Sequence, residues 1–181
     1  MSDGRIQPCT QADLAEVAAL VNAAYRAEGG QSGWTSEVGL VEGRRVTLNS
    51  LEAEHRSVPG LLIGTLREEA GLLACIRVEA TTGRRGEPAC YIGMLAVRPA
   101  SQGGGVGRRM LAWAEQQACL RGVRTARMTV VSVRTALIEW YERSGYRRTG
   151  ETEPFPYDDE RFGTPLRPGL EFVFLEKELP A

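Results

Sequence analysis

Gln102-Gly103-Gly104-Gly105-Val106-Gly107-Arg108 is the stretch of this chain best suited to chemistry on a ligand. Its run of glycines removes side chains, so backbone N–H groups can approach a guest closely. Apolar residues recur at helical spacing from Val106 to Leu120, which places the loop at a helix N-terminus. The first N–H groups of a helix have no intrahelical partner and its dipole favours negative charge there, so the guest that suits this loop is a phosphate. Spacing excludes two common phosphate loops. A P-loop needs Lys followed by Ser or Thr, and here Arg108-Arg109 follow Gly107. A dinucleotide fingerprint starting at Gly103 or Gly105 needs a glycine at 108 or 110, where Arg108 and Met110 stand. What fits is Gln-x-x-Gly-x-Gly, formed by Gln102, Gly105 and Gly107, behind an apolar run that includes Leu95, Ala96 and Val97.

Scarce residues narrow the remaining chemistry. The one histidine, His55, lies in Leu51–Arg56 and reads as a solvent-facing helix position. Nucleophile–histidine pairs and most zinc sites would need that residue, so no metal is expected. Cys9, Cys75, Cys90 and Cys119 have no metal-type spacing and read as reduced, partly buried thiols. A chain of 181 residues, 43% hydrophobic and 25% charged, suits one domain over residues 1–181 with one core. Its formal net charge of −1 draws it neither to nucleic acid nor to an anionic membrane. No apolar run is long enough to span a bilayer and the first residues carry no apolar leader, which predicts a cytoplasmic protein. Lys177 is the sole lysine among 22 basic residues, a bias expected of a GC-rich bacterial genome.

Around the loop, the elements follow from periodicity and punctuation. A short strand at Arg5–Pro8 precedes a helix capped by Thr10 with Asp13 and running to about Arg26. Glu28–Thr35 is a glycine-rich loop holding Trp34, and a second helix covers Thr47–His55. Leu61–Leu66 and Leu72–Ala80 read as strands joined by a hairpin at residues 67–71, and residues 81–88 as a second turn. Ala89–Val97 is the strand feeding the glycine loop, with Gly93 as a candidate bulge. A helix then spans Gly105 to about Leu120, a strand Thr125–Val131, and a helix Thr135–Ser144 stopped at Gly145. Tyr146–Thr149 and Leu170–Glu176 complete the sheet, with Glu153–Pro168 as a long loop. Strands and helices mixed in this way give an α+β (α/β-like) class.

A second motif follows the glycine loop at Arg134-Thr135-Ala136-Leu137-Ile138-Glu139-Trp140-Tyr141-Glu142-Arg143-Ser144-Gly145-Tyr146. The two motifs together resemble the GNAT superfamily of N-acetyltransferases, and the C-terminal stretch resembles a bacterial subgroup of it. Tyr141, Arg143, Gly145 and Tyr146 match the family pattern, whereas Arg134 replaces its usual Asn and Leu137 its usual Ala. The resemblance implies a central mixed, mostly antiparallel sheet of about seven strands flanked by about four helices, splayed open at an acetyl-CoA site. It further implies an acetyl-CoA-dependent N-acetyltransferase in which a primary amine of a small molecule, amino acid or peptide attacks the acetyl group directly in a ternary complex. Acetyl-CoA is the co-substrate; a homodimer is compatible with the family. Two other readings stay open, a non-catalytic acyl-CoA-binding or regulatory module and a protein-modifying acetyltransferase.

By the same resemblance, Leu95, Ala96 and Val97 pair with the pantetheine arm, and Gln102, Gly103, Gly104, Gly105, Val106, Gly107 and Arg108 hold the pyrophosphate. Arg134 and Arg143 border the cofactor, and Tyr141 is the general acid for the leaving thiolate. Trp34, Tyr91 and Phe155 flank the acceptor, with Tyr157, Phe162 and the acidic run 158–160 nearby. A frequent glutamate of the family is replaced by Tyr91, whose phenol, with a pKa of ~10, is a poor base at neutral pH. Glu79, Glu37 or a water path remain as routes for the amine's proton.

Overall fold

The longest strand organises the molecule. β4 (Gly71–Thr82) is buried without interruption from Leu72 to Ile76, because helices cover both faces of the sheet at its centre. It pairs antiparallel with β3 (Leu62–Glu68) on one side and β5 (Pro88–Val97) on the other. β1 (Gln7–Pro8) extends the sheet beyond β3. Past β5 come β6 (Thr125–Val131), β9 (Glu171–Glu178) and β7 (Arg147–Pro154), giving the order β1-β3-β4-β5-β6-β9-β7. Among the described residues only the β5–β6 pair is parallel, so the sheet is mixed and mostly antiparallel, of seven strands, as the resemblance implied. The computed structural model describes residues 4–30, 32–159 and 162–180, and no helix among them is long and apolar enough to cross a membrane.

Four helices complete the α+β fold. α1 (Leu14–Arg26) and α2 (Leu48–Ser57) cover one face, where Leu14, Val17, Val21 and Leu51 pack on Ile63, Cys75 and Ala96. α3 (Val106–Leu120) and α4 (Thr135–Arg143) cover the other, where Met110, Leu111, Ile138 and Tyr141 pack on Ile76, Val78, Leu95 and Met128. Thr10 gives its N–H and its hydroxyl to the Asp13 carboxylate (2.8 and 2.7 Å), which caps the turn leading into α1. Thr47 accepts from the Ser50 N–H at 3.1 Å and caps α2. Gly145 takes φ +94°, the left-handed stop expected after α4. Gly64 on β3 serves a different need, since a Cβ there would collide with the Trp113 indole of α3.

Several expectations need correction. The β7 strand begins at Arg147 and runs to Pro154, an irregularity between Arg148 and Thr152 carrying it past Thr149. The stretch read as one long loop then forms β8 (Thr164–Pro165), which pairs with β2 (Val41–Glu42) in a small second sheet. Neither two-residue strand is long enough to show alternation. The bulge in β5 exists, but its left-handed residue is Met94 (φ 50°) rather than Gly93. Gly93 is needed for space: a Cβ there would come within 2.7 Å of Tyr91 Cε1, because that ring folds along its own strand. His55 is half-buried, and its Nδ1 is enclosed without a hydrogen-bond partner. Cys9, Cys75 and Cys90 are buried free thiols, Cys119 is half-buried, and burial pushes the Cys75 thiol up to about 12.

Candidate active site

The bulge and the parallel pairing create an opening. β5 and β6 pair only at Cys90↔Ala126 and Tyr91↔Arg127, so the rest of β5, through Val97, has no strand partner on that side. A left-handed Met94 shifts the register against β4, where Cys75↔Ala96 gives way to Arg77↔Gly93. Leu95 lies at the centre of the splay with its carbonyl fixed from behind by the Tyr25 hydroxyl at 3.0 Å. Sequence reasoning missed Tyr25: it fills an apolar position of the α1 stripe, and nothing local marks its polar end.

Beside the splay is a cleft of about 450 Å³ lined by Leu95, Val97, Gln102, Gly103, Gly105, Val106, Gly107 and Arg108, closed laterally by Leu137 and Trp140 of α4 and by Trp34 and Thr35. The glycines suit a phosphate guest by measurable criteria. Gly103 (φ +89°) and Gly105 (φ +79°) adopt conformations that disfavour L side chains, and a Cβ at 103, 104 or 105 would meet no protein atom within 4 Å. That space is open to a ligand. Gly105 caps α3 without any side-chain hydrogen bond, leaving the first-turn amides of the helix for an anion. The residues present therefore fit the pyrophosphate of an acyl-CoA.

Gln102 has a structural duty that its motif position conceals. Its Nε2 donates to Val97 O at 3.0 Å and its Oε1 accepts from the Trp34 N–H, so it ties the end of β5 to the loop after α1. Gly33 permits this, since a Cβ there would come within 2.6 Å of the Gln102 amide. Arg134, ahead of α4, takes the same loop from the other side. It donates to Trp34 O at 3.1 Å and stands 3.7 Å from the Glu37 carboxylate. Glu37 also pairs with Arg26, so this buried carboxylate lies between two guanidinium groups.

The remaining predicted residues divide between those at the splay and those away from it. Tyr141 is buried on α4, its ring edge-on to Trp140 (4.9 Å) and Tyr146 (5.9 Å). Burial raises its phenol pKa well above the ordinary value, reinforced by Tyr25 and opposed by Arg134. Its hydroxyl has no hydrogen-bond partner among the described residues. Tyr91 hydrogen-bonds Thr129 Oγ1 at 2.8 Å across β5 and β6. Glu79 is opposite Tyr91 on β4, but its carboxylate is held by Arg77 at 2.7 Å. Ala96 is buried against the α1 side, while Leu95 and Val97 line the cleft. Arg143 is exposed, 3.9 Å from Glu139 and outside the cleft lining. Trp34 lines the cofactor cleft, and Phe155 is buried on Phe172 (5.4 Å, stacked) in a separate cluster with Val41, Val131 and Leu170. Glu160 of the acidic run lies outside the described residues.

Residues 62–148 match the family model described as an acetyltransferase (GNAT) domain. No protein of curated function matches the sequence. Solved structures share the fold along the whole chain. Ribosomal-protein-alanine N-acetyltransferase from Brucella melitensis is 20% identical with a TM-score of 0.69, over 97% of this chain and 99% of that one. The structure of yncA from Salmonella typhimurium, solved with its cofactor acetyl-CoA, is 19% identical with a TM-score of 0.70, over 99% and 96%. An N-acetyltransferase from Staphylococcus aureus Mu50 is 16% identical with a TM-score of 0.71, over 99% and 100%.

Proposed function

We propose that this chain, whose residues 62–148 match the model of a GNAT acetyltransferase domain, is an acetyl-CoA-dependent N-acetyltransferase that acetylates a primary amine of a small molecule, amino acid or peptide by direct attack in a ternary complex. The observation that carries this reading is the splay itself. A strand edge left unpaired beyond Tyr91 runs straight into an uncapped glycine loop at the α3 N-terminus, with a buried phenol on the neighbouring helix.

Bound acetyl-CoA supplies the activated acetyl group. The residues around it hold the ligand and manage protons. Gln102–Arg108 take the pyrophosphate on backbone amides, with Arg108 adding charge and Arg143 available to the 3′-phosphate from the last turn of α4. Leu95–Val97 offer main-chain groups to the pantetheine arm in the manner of an added strand. The Leu95 N–H, set by the bulge before it and by Tyr25 behind it, stabilises charge developing on the thioester oxygen. Tyr141 retains its proton because burial disfavours the phenolate, and it gives that proton to the departing sulfur. Glu37 acts as a structural anion between Arg26 and Arg134. Glu79, shared with Arg77, or a water path takes the amine's proton. Arg134 holds the Trp34 loop rather than the cofactor arm.

The test is thiol release from acetyl-CoA across a library of primary amines, with mass spectrometry of the products. Release coupled to N-acetylation is the expected result. Tight acetyl-CoA binding with no release on any amine would replace this reading with that of a binding module.

A further inference from the structure

The arginines that are not exposed include one without a counter-charge. Six arginines among the described residues are not exposed: Arg26, Arg45, Arg77, Arg98, Arg127 and Arg134. Five of them hold carboxylates: Arg26 and Arg134 hold Glu37, Arg77 holds Glu54 and Glu79, Arg98 holds Glu68, and Arg127 holds Glu151 and Glu176. Arg45 alone has no anionic partner among the described residues. A half-buried guanidinium without a counter-ion carries a desolvation cost that its contact with the Tyr25 ring offsets only in part, and an anionic ligand would offset it further.

Its placement says which ligand. The Arg45 guanidinium carbon lies 5.7 Å from the centroid of the Tyr25 ring, and that ring's hydroxyl donates to Leu95 O, at the centre of the splay. One tyrosine therefore connects this cation to the reacting strand. The backbone beneath it is fixed: buried Asn22 accepts from the Arg45 N–H at 2.7 Å and from the Val46 N–H at 3.3 Å, and donates to Val46 O at 2.9 Å. Tyr25 belongs to α1, on the face away from α3 and α4, whereas the cofactor cleft opens between β5 and the α3–α4 side. Arg45 therefore reaches the reacting strand through the Tyr25 ring from the side of the sheet covered by α1. Meanwhile Glu37, Glu54 and Glu79, carboxylates on elements around that side, are already engaged by arginines, so little negative charge remains to recruit a polycation.

We infer that Arg45 binds a carboxylate of the acceptor, which makes the substrate an amine that also bears a carboxylate. This rests on the acetyl-transfer reading above. Guanidinium and carboxylate match as a two-pronged, charge-assisted pair, and such a pair is strong where water is partly excluded. The sources of that chemistry, an α-amino acid or an amine with its carboxylate further along the chain, differ only in length.

The experiment compares acceptors in matched sets, with acetyl-CoA saturating: glycine, L-leucine and γ-aminobutyrate against glycinamide, L-leucinamide and 1,4-diaminobutane. The carboxylated member of at least one set should be preferred by at least tenfold in kcat/KM, as expected for a charge-assisted contact. Arg45→Gln should abolish that preference mainly through the acceptor KM, Arg45→Lys should restore part of it, and acetyl-CoA affinity by calorimetry should stay the same in both. Equal or better turnover of amides and diamines overturns the inference, as does an unchanged preference in Arg45→Gln. A wild-type protein that fails to bind acetyl-CoA overturns the proposed function instead.

Discussion

Replacing Tyr141 with Phe removes one oxygen from a ring whose surroundings are otherwise known. The ring contacts to Trp140 and Tyr146, at 4.9 and 5.9 Å, need only the carbon skeleton and survive the change. No hydrogen bond to a described residue is lost, so stability should move by less than about 1 kcal/mol, the net value of one ordinary hydrogen bond. Catalysis should respond far more. If the phenol protonates the departing sulfur, its loss should lower kcat by roughly 10²-fold, about 2.7 kcal/mol of barrier. The KM for acetyl-CoA should barely change, since the hydroxyl serves the reaction and not the ground state. The measurement is steady-state thiol release under saturating acetyl-CoA, with thermal unfolding of both proteins alongside. A Phe variant that keeps its melting temperature and turns over within twofold of wild type would refute the acid role and leave Tyr141 as a core aromatic.

Gly105→Val places a β-branched residue at φ +79°, a strain on the order of 1–3 kcal/mol, and fills the space left open above the loop. Acetyl-CoA affinity should collapse in a protein that still folds, and calorimetry showing wild-type affinity would remove the pyrophosphate assignment. Glu37→Gln leaves Arg26 and Arg134 without their shared anion; by analogy with broken buried pairs it should cost about 3 kcal/mol, lowering Tm by roughly 6–12 °C, without removing the acidic limb of the pH–rate profile. Loss of that limb in a stable variant would show that Glu37 is a base after all. Gly64→Ala should destabilise by about 1–3 kcal/mol through its collision with Trp113, visible as a lower urea midpoint, while leaving the KM for acetyl-CoA alone. Tyr25, Tyr141 and Tyr146 all have phenol pKa values raised by burial, so folding favours their protonated forms. Their contribution to stability should be flat in pH below about 10 and fall above it, where the unfolded chain ionises first, while the buried Cys9, Cys75 and Cys90 thiols, raised in the same way, should start a decline from about 8.5; chemical unfolding between pH 8 and 11 reads both.

What the sequence disclosed of this fold depended on how local the signal was. Thr125–Val131 is a strand over the residues its β-branched run predicts, and the Thr47 cap and the Gly145 stop were legible because each is written in one or two residues. The glycine loop was equally legible, since a missing side chain is visible without a partner. Contacts made at long range were not. Tyr25, Asn22 and Arg45 look like ordinary members of a helix and a loop, and only folding brings the first to Leu95, seventy residues away. Met94 illustrates the opposite error. Glycine is the usual host for a left-handed bulge, so Gly93 drew the assignment, while the neighbouring Tyr91 ring was the true reason for its missing side chain. The pairing of β2 with β8 escaped notice because two-residue strands carry no period.

The short β5–β6 contact has a mechanical consequence. Two residue pairs, Cys90↔Ala126 and Tyr91↔Arg127, are the whole strand pairing between the four strands β1, β3, β4 and β5 and the three strands β6, β9 and β7. A guest lying along the open edge would act as a staple across that junction. Its binding energy would then appear as resistance to separation of the halves, growing with ligand concentration by mass action at ~2.7 kcal/mol for a hundredfold excess over Kd. Slowed amide exchange in β6 and β9, strands remote from the glycine loop, would register the closure as clearly as any contact within the cleft.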